Sequence, residues 1–184
     1  MVDKSPGFIN YIDLIDKIFP NSIHVNMVRN GLAVINSILF KYRFSKRKRD
    51  VIYRNRSSIF GSYNNETKFL FHKDLVEFVA RQWLYLIDRG CYWKEILGER
   101  HLEVRYDELC DDPIKVFEVI QSRIGYDLGI DFSDVELISS DYKYKSSDWE
   151  ADTFTKSRGF KDKEIKTLGI IKKRMEELSY DFDI

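Results

Sequence analysis

Apolar residues recur along this chain at two different periods, and each change of period marks a change of element. Phe8, Ile12, Ile15 and Phe19 fall at spacings of four, three and four, which predicts a helix with one buried face, stopped by Pro20. Ile23 to Val28 form a short, β-branched, apolar-leaning run. Such a run predicts a strand covered on both faces. Arg29 stands where the strand stops, and Asn30-Gly31 reads as the turn. Leu32, Ile35, Leu39 and Tyr42 then predict a helix over about 32–44, with Ser37 off its apolar stripe.

The second half repeats this alternation. Leu75, Phe78, Val79, Trp83 and Leu86 line a helix predicted over about 72–89, with Trp83 as a core anchor and Gly90 as its closing cap. Leu102, Val104 and Tyr106 alternate with His101, Glu103 and Arg105, which predicts a half-buried strand ending at Tyr106. Asp112 suits an N-cap with Pro113 at the first helical position, and Phe117, Ile120 and Ile124 carry that helix's inner face up to Gly125. A polar stretch follows, with Trp149 and Phe154 as isolated anchors. Ile165, Leu168, Ile171 and Met175 then mark a final helix over about 163–178. Strands that each lead into a helix place the chain in the α/β class, with few parallel strands flanked by helices.

Composition narrows this picture without changing it. The 184 residues and 22.0 kDa suit a single domain over 1–184. Lys plus Arg and Asp plus Glu each total 30, so the balance offers no global attraction to nucleic acid or an anionic membrane. Locally, Lys41, Arg43, Lys46, Arg47, Lys48, Arg49, Arg54 and Arg56 stand against the single acid Asp50. That run reads either as a solvated helix end or as a rim attracting a polyanion. Residues 57–67, rich in Ser, Asn and Gly, read as a loop. Cys91, at a helix end, and Cys110 lack a metal-binding or redox spacing and read as free thiols. His24, His72 and His101 are scattered, so no metal is expected. No apolar run reaches a membrane span and no secretory signal opens the chain, so the expectation is a soluble chain, cytoplasmic by default.

One arrangement suggests chemistry. Arg29 at the carboxyl end of a strand and Ser37 on the following helix can share an anion, through a charge-assisted fork from one and a hydroxyl hydrogen bond from the other. Ligands of open α/β sheets bind in that crevice. The plainer reading has Arg29 merely ending a strand and Ser37 merely packing on a helix.

Three ordered motifs bear on the choice. Arg29 and Ser37 after a hydrophobic strand, Asp3-Lys4-Ser5-Pro6 leading through a helix to Phe19-Pro20, and Val104-Arg105-Tyr106-Asp107-Glu108-Leu109 before Asp112-Pro113 together resemble the sulfotransferases that use 3′-phosphoadenosine 5′-phosphosulfate. The resemblance is to glycosaminoglycan-type and bacterial members, clear over about residues 3–125. It implies a P-loop-like sulfotransferase fold and transfer of a sulfuryl group to a hydroxyl or amine of a small-molecule or glycan acceptor. Arg29 and Ser37 would then hold the donor's 3′-phosphate and Tyr106 its adenine. Lys156-Ser157-Arg158-Gly159 is loosely similar to the family's Arg-Lys-Gly loop, which implies a 3′-phosphate role for Arg158 and Gly159. Asp3 corresponds to the family's general base, shortened by one methylene. The family's phosphosulfate-binding loop would lie upstream of Asp3, so the resemblance also implies an incomplete domain. Two alternatives stay open: a non-catalytic remnant that binds 3′-phosphoadenosine nucleotides, and a polyanion-binding module built on residues 41–56.

Overall fold

The computed structural model describes residues 6–43, 75–125 and 160–182. After a 3-10 turn at Pro6–Asn10 come helix α1 (Ile12–Ile18), strand β1 (His24–Val28), helix α2 (Gly31–Arg43) and the long helix α3 (Leu75–Leu97). Strand β2 (His101–Arg105) leads directly into the short helix α4 (Tyr106–Asp111), then α5 (Pro113–Ile124) and, in the last described stretch, α6 (Asp162–Glu177). The two strands pair in parallel, with His24 opposite His101 and Val28 opposite Arg105. This is an α/β arrangement with a two-stranded parallel sheet among the described residues.

The core lies between α2, α3 and α6, with the end of β1 set into it. Leu32, Ile35 and Leu39 of α2, Phe78, Val79 and Trp83 of α3, and Leu168, Ile171 and Met175 of α6 form one cluster with Val28 and Tyr180. Leu32, Ile35 and Leu39 of α2 and Leu168, Ile171 and Met175 of α6 therefore face inward as predicted, whereas Ile165 is half-buried and the side chain of Tyr42 lies outside the described ones. A smaller cluster joins Ile12 to Trp93 and Leu97 on α3. It is held by hydrogen bonds from Trp93 Nε1 to the Ile9 carbonyl (2.8 Å) and from the Tyr85 hydroxyl to Asn10 Oδ1 (2.6 Å).

Five expectations are corrected. Gly90 does not close α3; it lies buried within the helix, where a Cβ would stand 2.6 Å from the Asn26 side-chain nitrogen. Glycine is there to let β1 approach, and the stop comes at Gly98, whose φ of +54° only glycine adopts without strain. Cys91 accordingly lies within α3 rather than at a helix end. Strand β1 is not covered on both faces: His24, Asn26 and Val28 are turned inward, while Val25 and Met27 are exposed. In the first helix only Ile12 is deeply buried, and Phe8 and Phe19 are exposed. The turn breaks the pattern, because Phe8 belongs to the 3-10 segment and its side chain is out of helical phase with Ile12. On α5 the buried residue is Val116, with Phe117, Ile120 and Ile124 half-buried.

The ends of α5 follow local chemistry. Asp112 Oδ1 accepts from the Lys115 backbone N–H at 3.1 Å, Pro113 starts the helix, and Gly125 ends it at φ 69°. The predicted loop at 57–67, the side chains of the basic run from Lys41 to Arg56, and the anchors Trp149 and Phe154 lie outside the described side chains. So does the predicted start of α3 at His72.

Candidate functional site at the carboxyl ends of the strands

The joint between β1 and α2 is tighter than a turn. Asn30 is itself the N-cap: its carbonyl accepts from Val34 N–H (3.1 Å) and its Oδ1 accepts from Ala33 N–H (3.1 Å). Helix α2 therefore starts at Gly31, only three residues beyond Val28. The predicted Asn30-Gly31 turn is corrected to a cap and a first helical residue. Gly31 serves packing, since a Cβ there would stand 3.0 Å from the indole of Trp83 and 3.1 Å from Ile171. The indole lies beneath the joint and its Nε1 donates to the Arg29 carbonyl at 3.1 Å. The backbone from which Arg29 projects is thus fixed from below by a buried tryptophan.

Register carries the second residue to the same place. Val28 pairs with Arg105, so Arg29 and Tyr106 are the residues that immediately follow the two paired strands. The Arg29 guanidinium carbon lies 4.4 Å from the centroid of the Tyr106 ring. A stacked guanidinium uses its face against the ring and keeps its in-plane N–H donors for an anion. Tyr106 opens α4, so the ring sits where a strand turns into a helix.

A second pair of the same kind, which the sequence did not reveal, stands beside the first. The Arg105 guanidinium lies 4.2 Å over the Tyr180 ring and donates to the Leu178 carbonyl at 2.8 Å. The Tyr180 hydroxyl donates to the Val28 carbonyl at 3.4 Å, with the Asp107 carboxylate close enough to act on the phenol. Burial, reinforced by that carboxylate, pushes the phenol well above its ordinary pKa of 10.0. It stays a neutral donor. In the sequence, the only signal for this contact is an aromatic residue two positions after the last helix, and nothing local says what it touches.

Of the predicted site residues, the structure brings Arg29 and Tyr106 into contact. Ser37 is half-buried on α2 and shares a helical face with Asn30, at a rise of about 10 Å along the axis. Asp3, Arg158 and Gly159 lie outside the described residues. Among the described residues no group of three or more His, Cys, Asp or Glu could hold a metal, and no helix is long and apolar enough to cross a membrane.

With strand, cap and arginine in this order, comparison with known families is decisive. The sulfotransferase family matches residues 1–129, more than half of the chain. The chain belongs to the sulfotransferase family. No curated protein and no solved structure matches it significantly. The match takes in β1, α2, α3, β2 and α5, and therefore both members of the Arg29–Tyr106 pair.

Proposed function

We propose that this sulfotransferase-family chain binds the 3′-phosphoadenosine end of 3′-phosphoadenosine 5′-phosphosulfate and serves sulfuryl transfer to a hydroxyl or amine acceptor. The observation that carries the reading is the Arg29 guanidinium lying 4.4 Å over the Tyr106 ring centroid at the carboxyl ends of two parallel strands. An anion arriving there meets in-plane donors on Arg29 and the uncapped N–H groups at the start of α2. The Ser37 hydroxyl would add its hydrogen bond from farther along α2, and Arg158 with Gly159 from the tail. Tyr106 would meet the adenine by stacking or by a hydrogen bond.

In the transfer itself the bond from sulfur to the nucleotide's phosphate oxygen breaks, a bond from sulfur to the acceptor forms, and the acceptor's proton leaves to a base. Asp3 would be that base. The 3′-phosphate is remote from sulfur, so Arg29 and Ser37 contribute affinity and orientation. The described strands would then form part of one P-loop-like sulfotransferase domain.

Calorimetric titration with adenosine 3′,5′-bisphosphate tests the proposal on the chain and on Arg29→Ala. Loss of a charged hydrogen-bonded contact, worth about 1.5–3 kcal/mol, should weaken binding about tenfold or more. Equal affinity in the two proteins would overturn it.

A further inference from the structure

The chain beyond α6 turns back sharply onto the strand ends, and the turn is specified by backbone bonds. Ser179 N–H donates to the Glu176 carbonyl at 3.0 Å and Tyr180 N–H to the Met175 carbonyl at 2.9 Å, the two bonds of a Schellman motif. The residue in the left-handed position is Ser179, at φ 57°, where glycine is the usual occupant. A non-glycine residue persists there only where surrounding contacts hold it. Those contacts are the ones made by Tyr180 and Leu178.

Each contact lands next to a residue of the nucleotide site. The Tyr180 hydroxyl donates to the Val28 carbonyl, adjacent to Arg29. Arg105, the residue before Tyr106, closes the arrangement by covering the Tyr180 ring and binding the Leu178 carbonyl. Tyr180 is also buried in the same cluster as Val28 and Met175, so the hook is anchored at its base. None of this comes from the family-matched part alone, because Leu178 to Tyr180 lie beyond residue 129.

We infer that Arg105 and Tyr180 are positioning residues, and that the hook at Leu178–Tyr180 locks the two strand ends in the register that stacks Arg29 on Tyr106 for nucleotide binding. The inference rests on the nucleotide reading above and extends it to a segment with no part in that reading. Binding energy is lost when the receiving groups must be ordered on arrival, so a preset guanidinium raises affinity without touching the ligand more often.

The test uses the whole chain with Arg105→Met, Arg105→Lys and Tyr180→Phe. Tyr180→Phe keeps the buried ring and removes only the hydroxyl, so it should fold even if Arg105→Met does not. Hydrogen exchange of the segment spanning Val28 to Gly31 is the readout that needs no ligand. It should speed up about tenfold in Arg105→Met and Tyr180→Phe, with exchange in α5 unchanged. Adenosine 3′,5′-bisphosphate should bind about three- to tenfold more weakly to both variants well below their melting temperatures, and Arg105→Lys should recover most of the loss. In an Arg29→Ala background the same changes should cost clearly less affinity, since much of their effect acts through Arg29. Unchanged exchange at Val28–Gly31, or an affinity loss undiminished in the absence of Arg29, would overturn the hook. Failure of the unaltered chain to bind the nucleotide would instead remove the site reading, leaving exchange to judge the hook by itself.

Discussion

Gly31 shows how a single position can be legible in identity and misread in purpose. In sequence Asn30-Gly31 looks like a turn. In the fold Asn30 caps α2 and Gly31 makes room for the Trp83 ring, whose Nε1 holds the Arg29 carbonyl. A β-branched side chain must push against a rigid indole, so Gly31→Val should lower stability by about 1–3 kcal/mol in chemical denaturation and weaken the nucleotide binding proposed for Arg29. Ser179 makes the converse case. Its φ of 57° strains an L-residue, and Ser179→Gly should raise stability by up to about 1 kcal/mol, read as a higher denaturation midpoint. A lower midpoint would show that the Ser179 side chain contributes something the backbone geometry does not.

Among the elements, α5 was the most legible and the strands the least. Asp112, Pro113 and Gly125 specify the ends of α5 by local hydrogen bonding and backbone freedom, and all three act in the structure as their types dictate. Removing the cap with Asp112→Ala should cost about 1 kcal/mol, measurable as a loss of thermal stability with the fold retained. The strands depend on what lies across from them. Parallel pairing sets His24 beside His101 at the opposite end of the sheet from Arg29. His101 is 8% exposed, neither of its ring nitrogens has a hydrogen-bond partner, and it faces Glu103, His24 and Lys94. Burial holds its pKa below the ordinary 6.5, against the opposing pull of Glu103. His24 is lowered by burial too, against Asp16 and with Arg100, while its Nε2 hydrogen-bonds the Ser22 hydroxyl at 2.9 Å.

With the folded pKa depressed, the unfolded chain binds the proton first as acid is added. The sheet's stability is therefore full above about pH 6.5, the unfolded value, and falls as the pH drops from there toward the folded value. His101→Phe keeps an apolar ring of similar shape and removes the titrating group. Its melting temperature should fall less than that of the unaltered chain between pH 7 and pH 5. Parallel pH curves for the two proteins would show that other groups govern the acid response.

At the scale of the whole molecule, the core extends beyond the part that identifies the family. The family match ends at residue 129, yet Leu168, Ile171 and Met175 of α6 are each fully buried against α2 and α3. Arg174 further ties α6 to Asp88 of α3 by an ion pair. Neighbouring isoleucines separate the contributions cleanly, because Ile171 is 0% exposed and Ile170 is 38% exposed. Ile171→Ala should cost about 2–5 kcal/mol through the cavity it leaves, whereas Ile170→Ala should cost well under half of that. Similar losses at both positions would contradict the observed seating of α6.

The hydrophobic periods determined by themselves that α2, α5 and α6 exist, where they begin and end to within a few residues, and that α2 and α6 turn Leu32, Ile35, Leu39, Leu168, Ile171 and Met175 inward. Those features follow from contacts within a few turns of chain, and residue type alone encodes them. The motifs around Arg29 and Tyr106 determined the family for the same reason, being short and contiguous. Tertiary structure decided what depends on distant partners. It set Gly90 against Asn26, left Val25 and Met27 uncovered, and paired β1 with β2 across more than seventy residues. It also brought Tyr180 back to Val28 over 152 positions. A contact of that separation has no period and no local spacing, so it exists only once the chain has closed on itself.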